Sequence, residues 1–269
     1  MKILRIAAWS CLALVAFASI MAPWLAPHGY AWQDRESFSA PPSHQHWLGT
    51  DDLGRDRFAR VLYGTRVSLL LAPAASLLST LLAVLIGGLA GYCGGFWERT
   101  AMAATDLCVS LPWLFLLITV RAVLPLDVSP LTSVAVTFAV LGLLGWTSAA
   151  RVLCASAKML RSSDFLRQAR AAGISAPRIF WIHVVPNLRP VLAAQFWISI
   201  PVFILSEANL GILGLGVPEP MPSWGSLLRE MEGLVSFREE PWKFIPLALL
   251  VAVVTAFQLI LSDKEQVVA

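Results

Sequence analysis

The densest run of ionisable side chains lies between His44 and Arg60. It holds His44, His46, Asp51, Asp52, Arg55, Asp56, Arg57 and Arg60. Carboxylates beside imidazoles can ligate a metal or move protons. Here the acids alternate with arginines around Gly54, a pattern that more often makes a surface salt-bridge network. His44-x-His46 has no third metal-type partner nearby in sequence, so both histidines are expected in solvent. No His-Glu-x-x-His or Gly-x-Ser-x-Gly occurs, so neither a metalloprotease helix nor a nucleophile elbow is encoded. The lysines are Lys2, Lys158, Lys243 and Lys264, and none stands in Gly-Lys-Ser/Thr. The chain therefore has no phosphate-binding P-loop. Catalytic residues, metal ligands and cofactors are expected to be absent.

A second chemical candidate is Glu207, followed by Asn209 and by Gly211-x-x-Gly214-x-Gly216. The glycine pattern follows no strand and is not a nucleotide fingerprint. It reads as an irregular turn at the mouth of a pathway. Glu207 is either an interfacial charge or a group facing a polar route; ionisable groups at membrane depth lean functional.

The third candidate is the basic segment 161–187. Ser162 or Ser163 can cap a helix whose first turn carries Asp164, and Gly173 can stop it. A helical wheel puts Phe165, Leu166, Ala169 and Ala172 on one side, with Arg167 and Arg170 opposite. Pro177 divides off a second short segment, and Pro186 marks the approach to the next helix. Such an element suits anionic lipid and a protein partner alike.

These residues must be held by membrane helices. The chain is 57% hydrophobic and 14% charged, against about 25% charged in an ordinary soluble domain. Residues 6–33, 67–97, 128–150, 190–206 and 244–262 carry no Lys, Arg, Asp or Glu. A bilayer core needs about 20 apolar residues, and backbone polar groups in lipid must pair internally. The expectation is an all-α membrane protein with six spans, near 6–27, 67–90, 101–122, 131–151, 190–208 and 245–262. Lys2, Arg5 and Ala16-Phe17-Ala18 also permit a signal peptide. The length of the apolar run, with Trp9 and Trp24 at its two ends, favours a span.

Six spans put both termini on one side. The 151–189 loop holds seven basic residues and one acid, Asp164, which places it and the termini in the cytoplasm by the positive-inside rule. Arg35, Arg55, Arg57, Arg60 and Arg66, in the first outer loop, run against that rule. Gly87, Gly91 and Gly95 recur every four residues and are expected to line a helix-packing face. Cys11, Cys93, Cys108 and Cys154 form no Cys-x-x-Cys and read as packing residues. The net charge of +3 reflects the cytoplasmic loop and gives no nucleic-acid surface.

Three stretches together resemble the inner-membrane permease subunits of ABC importers, in the dipeptide/oligopeptide/nickel class. They are Leu48-Gly-Thr-Asp-Asp-Leu-Gly-Arg-Asp56 with Gly64-Thr-Arg-Val-Ser68; Ala169-Arg-Ala-Ala-Gly173 with His183-Val-Val-Pro-Asn187; and Glu207-Ala-Asn-Leu with Leu213-Gly-Leu-Gly-Val217 and Pro222-Ser-Trp-Gly225. The resemblance covers residues 46–262. It implies a MetI-like core of five helices plus an N-terminal helix. The parts would be an N-terminal span at 1–27, a periplasmic loop at 28–66, the core at 67–262 and a tail at 263–269. Within the core lie a cytoplasmic coupling loop at 152–189 and a periplasmic loop at 209–244. It implies a second homologous permease subunit, two ATPase subunits, a soluble substrate-binding protein and surrounding lipid as partners. The 163–173 helix would couple to an ATPase through Phe165, Arg167, Gln168, Ala169, Arg170, Gly173 and Pro186. Glu207, Asn209, Gly214 and Gly216 would stand at the outer mouth. The family's coupling motif normally opens Glu-Ala-Ala; here Arg167-Gln168-Ala169 occupies it. The cargo implied is a peptide or related small solute. A membrane-surface scaffold accounts for the basic helix but not for the other two stretches, and an intramembrane enzyme lacks its chemistry.

Overall fold

A computed structural model describes residues 2–123, 129–231 and 240–268. All the named elements among these are helical. Five helical stretches are long and apolar enough to span a membrane: Ile3–Ile20, Arg57–Cys93, Pro130–Arg161, Arg189–Ile212 and Pro241–Leu261. A bent pair, α5 (Gly95–Ser110) and α6 (Trp113–Val123), is apolar and long enough only when taken together, as a broken span or a re-entrant loop would be.

The differences from the expected spans have local causes. Helix α1 (Lys2–Ile20) is followed at Met21 by a short turn, α2 (Ala22–Leu25), with Pro23 in its first turn, where a missing N–H costs nothing. Helix α3 (Arg57–Ala83) begins well before residue 67, because Asp56 caps it: its Oδ1 accepts from Ala59 N at 2.8 Å. A single π turn, Val84–Gly88, joins α3 to α4 (Leu89–Cys93). The expected straight span 101–122 is instead two helices at 86°. Pro112 disfavours helical geometry at Leu111, which is extended at φ −79°, ψ 133°. Helices α7 (Pro130–Leu144) and α8 (Trp146–Arg161) follow. The helical path then continues through α9 (Asp164–Ala171), α10 (Ala176–Ile179), a π turn at Phe180–Val184 and α11 (Val185–Asn187) to α12 (Arg189–Ile212). After α13 (Trp224–Arg229), a 3-10 turn at Pro241–Phe244 leads into α14 (Ile245–Val268). Residues expected to form a separate tail are thus the end of α14. Of the expected 209–244 loop, 232–239 lie outside the described residues, as do 124–128 between two expected spans.

The chain divides into two compact units. The first comprises Met1–Ala72, Val120–Phe138 and Pro201–Ala269. In it, α1 lies along α14, with Ala8 and Leu12 against Ala256, Leu259 and Ile260. The second comprises Pro73–Thr119 and Ala139–Ile200. Its core is built from Ala83, Val84 and Tyr92, from Ala149, Ala150, Leu153 and Ala157 of α8, and from Leu166, Ile179, Phe180, Val184 and Leu188. Gly87 and Gly91 make this possible. A Cβ on either would stand 2.1–2.2 Å from the carbonyl oxygens of Ala150 and Cys154, so the two backbones touch. Gly95 does not share their face. It lies past the end of α4, has φ +61° and meets nothing within 4 Å. Cys154 is buried, Cys11 is half-buried, and Cys93 and Cys108 are exposed.

Candidate functional site

In the second unit, α9 is a two-turn helix held by one narrow stripe. Leu166 and Ala169, three residues apart, enter the core. Phe165 (40% exposed) and Ala172 remain outside, contrary to the wheel. Two turns present only one i, i+3 ridge to a flat core, so residues at the margin of the apolar arc stay in solvent. The start is also simpler than expected. Ser163 is extended at the cap position, but its Oγ donates backwards to Leu160 O at 2.5 Å and caps nothing ahead. Gly173 ends the helix at φ +77°. There Gly173 N donates to Arg170 O at 3.0 Å, and Ile174 N to Ala169 O at 3.2 Å. That reversal needs a left-handed residue, which costs other L-residues roughly 1–2 kcal/mol.

The outward face of α9 shows Asp164, Phe165, Arg167, Gln168 and Arg170. Arg167 Nη2 donates to Asp164 Oδ1 at 2.7 Å, a surface pair. The Arg170 guanidinium lies 5.6 Å from the Tyr92 ring centroid, and Tyr92 in turn contacts Phe180 at 5.8 Å. Cation and ring therefore fasten the exposed face to the buried core. Beyond α10, Trp181 and Ile182 are more than half exposed. Pro186 is half-buried inside α11, and Asn187 Nδ2 donates to His183 O at 2.7 Å.

In the first unit, the acid–arginine run is not a surface network. Asp51, Arg55, Asp56, Arg57 and Arg60 are all buried. The sequence hides the reason: their partners, Glu219 and Glu230, arrive from far along the chain. Arg55 Nε meets Asp51 Oδ2 at 2.6 Å, and its Nη1 binds Glu219. Arg60, wholly enclosed, meets Glu219 at 2.9 Å, Glu230 at 3.1 Å and Asp51 at 3.5 Å. Arg57 reaches Glu230 at 3.0 Å and Thr50 O at 2.9 Å. Three arginines thus face three carboxylates. Burial opposes the charge of Glu219, but Arg60 and Arg55 hold its carboxyl below the usual value. Burial wins at Glu230 and lifts it, against the pull of Arg60 and Arg57.

His46 is buried too, correcting the solvent-exposed expectation. Its Nδ1 lies 2.8 Å from Asp56 Oδ2, its Nε2 lies 3.5 Å from Asp34 Oδ2, and its ring stands beside His28. His28, His46 and Asp56 bring potential ligand atoms within 4.8 Å of one another. Asp56 has both oxygens engaged, one on His46 and one on the α3 cap, so these two residues form a hydrogen-bonded anchor, while His28 Nδ1 is buried with no hydrogen-bond partner among the described residues. Asp34 titrates below its usual value, chiefly through the Glu36 N–H.

Glu207 is fully enclosed between α3, α12 and α13. Ser68 Oγ donates to its Oε2 at 3.3 Å, and the same hydroxyl accepts from Trp224 N at 3.3 Å. Trp224, also wholly buried, donates through Nε1 to Thr65 Oγ1 at 2.9 Å. Ser223 and Ser226 form a reciprocal capping box at the start of α13. Asn209 is exposed. Gly214 and Gly216 instead line a cavity of about 430 Å³ together with Arg121, Glu219, Arg229 and Glu230. Arg121, Arg60, Glu219 and Glu230 escaped sequence reasoning as site residues. The available signal was Arg121 itself, a charge set within an apolar run.

The later apolar spans and the short helix α9 between them fall within one family match. Residues 83–263 fit the model of the binding-protein-dependent transport system inner membrane component. The chain belongs to that family. It is an inner-membrane, multi-pass permease subunit of an ABC importer. The permease is 34% identical over 259 residues to the oligopeptide transport system permease protein OppC of Mycobacterium bovis, covering 94% of this chain and 86% of that one. It is 30% identical over 248 residues to OppC of Bacillus subtilis, covering 92% and 79%. The dipeptide transport system permease protein DppC of Bacillus subtilis is 30% identical over 250 residues, covering 92% and 75%. The permease matches these relatives over most of their length, including the 28–66 segment that precedes the family match.

Proposed function

We propose that this permease forms half of a peptide-translocating pathway beside a second homologous subunit. Its α9 helix docks on one of two ATPase subunits, and a soluble binding protein delivers cargo on the opposite face. Both termini and the 152–189 loop lie in the cytoplasm; the 28–66 and 209–244 segments lie in the periplasm. The relatives named for oligopeptide and dipeptide transport support peptides as cargo. The arginines that weaken the positive-inside count support the orientation as well. Arg55, Arg57 and Arg60 are neutralised by carboxylates, whereas Arg170 of the coupling loop is exposed and meets a ring, not an acid.

The carrying observation is the two-sidedness of α9. Leu166 and Ala169 are gripped by the unit's core while Phe165, Arg167, Gln168 and Arg170 stand outward. A force applied to that outer face is transmitted to α8, α4 and α12 through close-packed side chains. Coupling of this kind requires differential contacts in two states. The decisive experiment reverses both arginines, Arg167→Glu with Arg170→Glu, in the reconstituted complex. Membrane insertion should persist, and ATP-driven uptake should fall by roughly tenfold or more, the effect of about 1.4 kcal/mol of lost docking. Undiminished uptake would refute the docking role.

A further inference from the structure

Arg121 stands on α6 with 1% of its surface exposed. Its Nη2 donates to Ser133 Oγ at 2.6 Å, while Nε and Nη1 have no hydrogen-bond acceptor among the described residues. A guanidinium has five N–H donors and keeps its charge, and a buried charge without a partner is costly. The same side chain lines the cavity of about 430 Å³, within the range of about 300–1,000 Å³ typical of small-molecule sites. The acids in that wall are already engaged, Glu219 by Arg55 and Arg60, and Glu230 by Arg57 and Arg60. Arg229, on the same wall, has no ion pair among the described residues. Gly211, Gly214 and Gly216 carry no side chain that would fill the space. Among the described residues, the positive charge in this cavity therefore has no uncommitted acid.

We propose that this cavity is a carboxylate-binding subsite for the transported solute, in which Arg121 takes the C-terminal carboxylate of a peptide. This rests on the peptide reading above. The guanidinium fork matches a carboxylate with two parallel hydrogen bonds. Nε and Nη1 are the donors left over for it.

The test uses the whole transporter in proteoliposomes and compares uptake of trialanine with that of trialanine amide. Any preference imposed by the binding protein is common to wild type and variant, so a change in the acid-to-amide ratio reports Arg121. The wild type should favour the acid, and Arg121→Gln should lower the ratio by roughly tenfold or more. Arg121→Lys, which keeps the charge and loses the fork, should lie between. An unchanged ratio in Arg121→Gln overturns the proposal and assigns the guanidinium to a lipid phosphate or a partner subunit's acid. A second readout needs neither transport nor peptide. Excess propionate, but not propionamide, should raise the melting temperature of the purified wild-type complex and not that of Arg121→Gln. If the wild type imports neither tripeptide yet propionate alone stabilises it, the peptide reading fails and the subsite stands. If propionate stabilises both proteins or neither, the subsite fails.

Discussion

Glu219 shows how far one side chain can act from its place in the chain. It lies beyond α12 and ties Arg55 to Arg60, which precede and open α3. Its carboxyl titrates below the usual 4.5, so the folded protein binds that proton less tightly than the unfolded chain does. The stability it contributes is complete above about pH 4.5 and is lost as the pH falls through the depressed value. Glu230 has the opposite sign, because burial raises it; its ionisation costs stability as pH rises. Comparing Glu219→Gln with wild type separates the two. The variant should be less stable at pH 7 by about 1 kcal/mol, a modest figure because half the carboxylate faces solvent. The gap should close at acid pH. Thermal melts in detergent across pH would measure it, and a gap that widens on acidification would contradict the assignment.

At the scale of elements, the second unit depends on helices that meet without side chains between them. At Gly91 the backbone of α4 abuts Cys154, and one turn earlier Gly87 abuts Ala150. Gly91→Leu must force α4 from α8 and disturb the core that holds Leu166 and Ala169. A loss of about 1–3 kcal/mol or more is expected from overpacking alone. Uptake should fail along with it, since α9 would lose its footing. Native-like melting of Gly91→Leu would show that the helices can part cheaply. The four-residue glycine spacing was legible beforehand, but Gly95 was not separable from it, because the helix ends between them at Gly94. The bend at Pro112 is similar. A proline was visible, yet whether it kinks a helix or ends one depends on what surrounds it.

At the scale of the whole molecule, the proposed orientation puts Arg35 outside and Gln168 inside. In a variant with Cys11, Cys93, Cys108 and Cys154 replaced by Ser, Arg35→Cys should react with a membrane-impermeant maleimide in intact cells. Gln168→Cys should react only after permeabilisation. The reverse pattern would invert the topology. Both positions are exposed, so labelling reports sidedness and not burial.

What the chain declared by itself was its solvent. Long charge-free runs and the cost of unpaired backbone in lipid leave helices as the outcome, and the short polar segments between them stand out against that background. That reasoning uses only neighbours in sequence. Tertiary structure decided everything that depends on distant partners. Arg60 became a buried charge because Glu219 and Glu230 arrive beside it. His46 became an anchor because Asp56 and Asp34 enclose it. Arg121 became a candidate site because no acid among the described residues reaches it. Whether a charge is paired or left open is settled by where the fold brings its partners, and no local pattern records that.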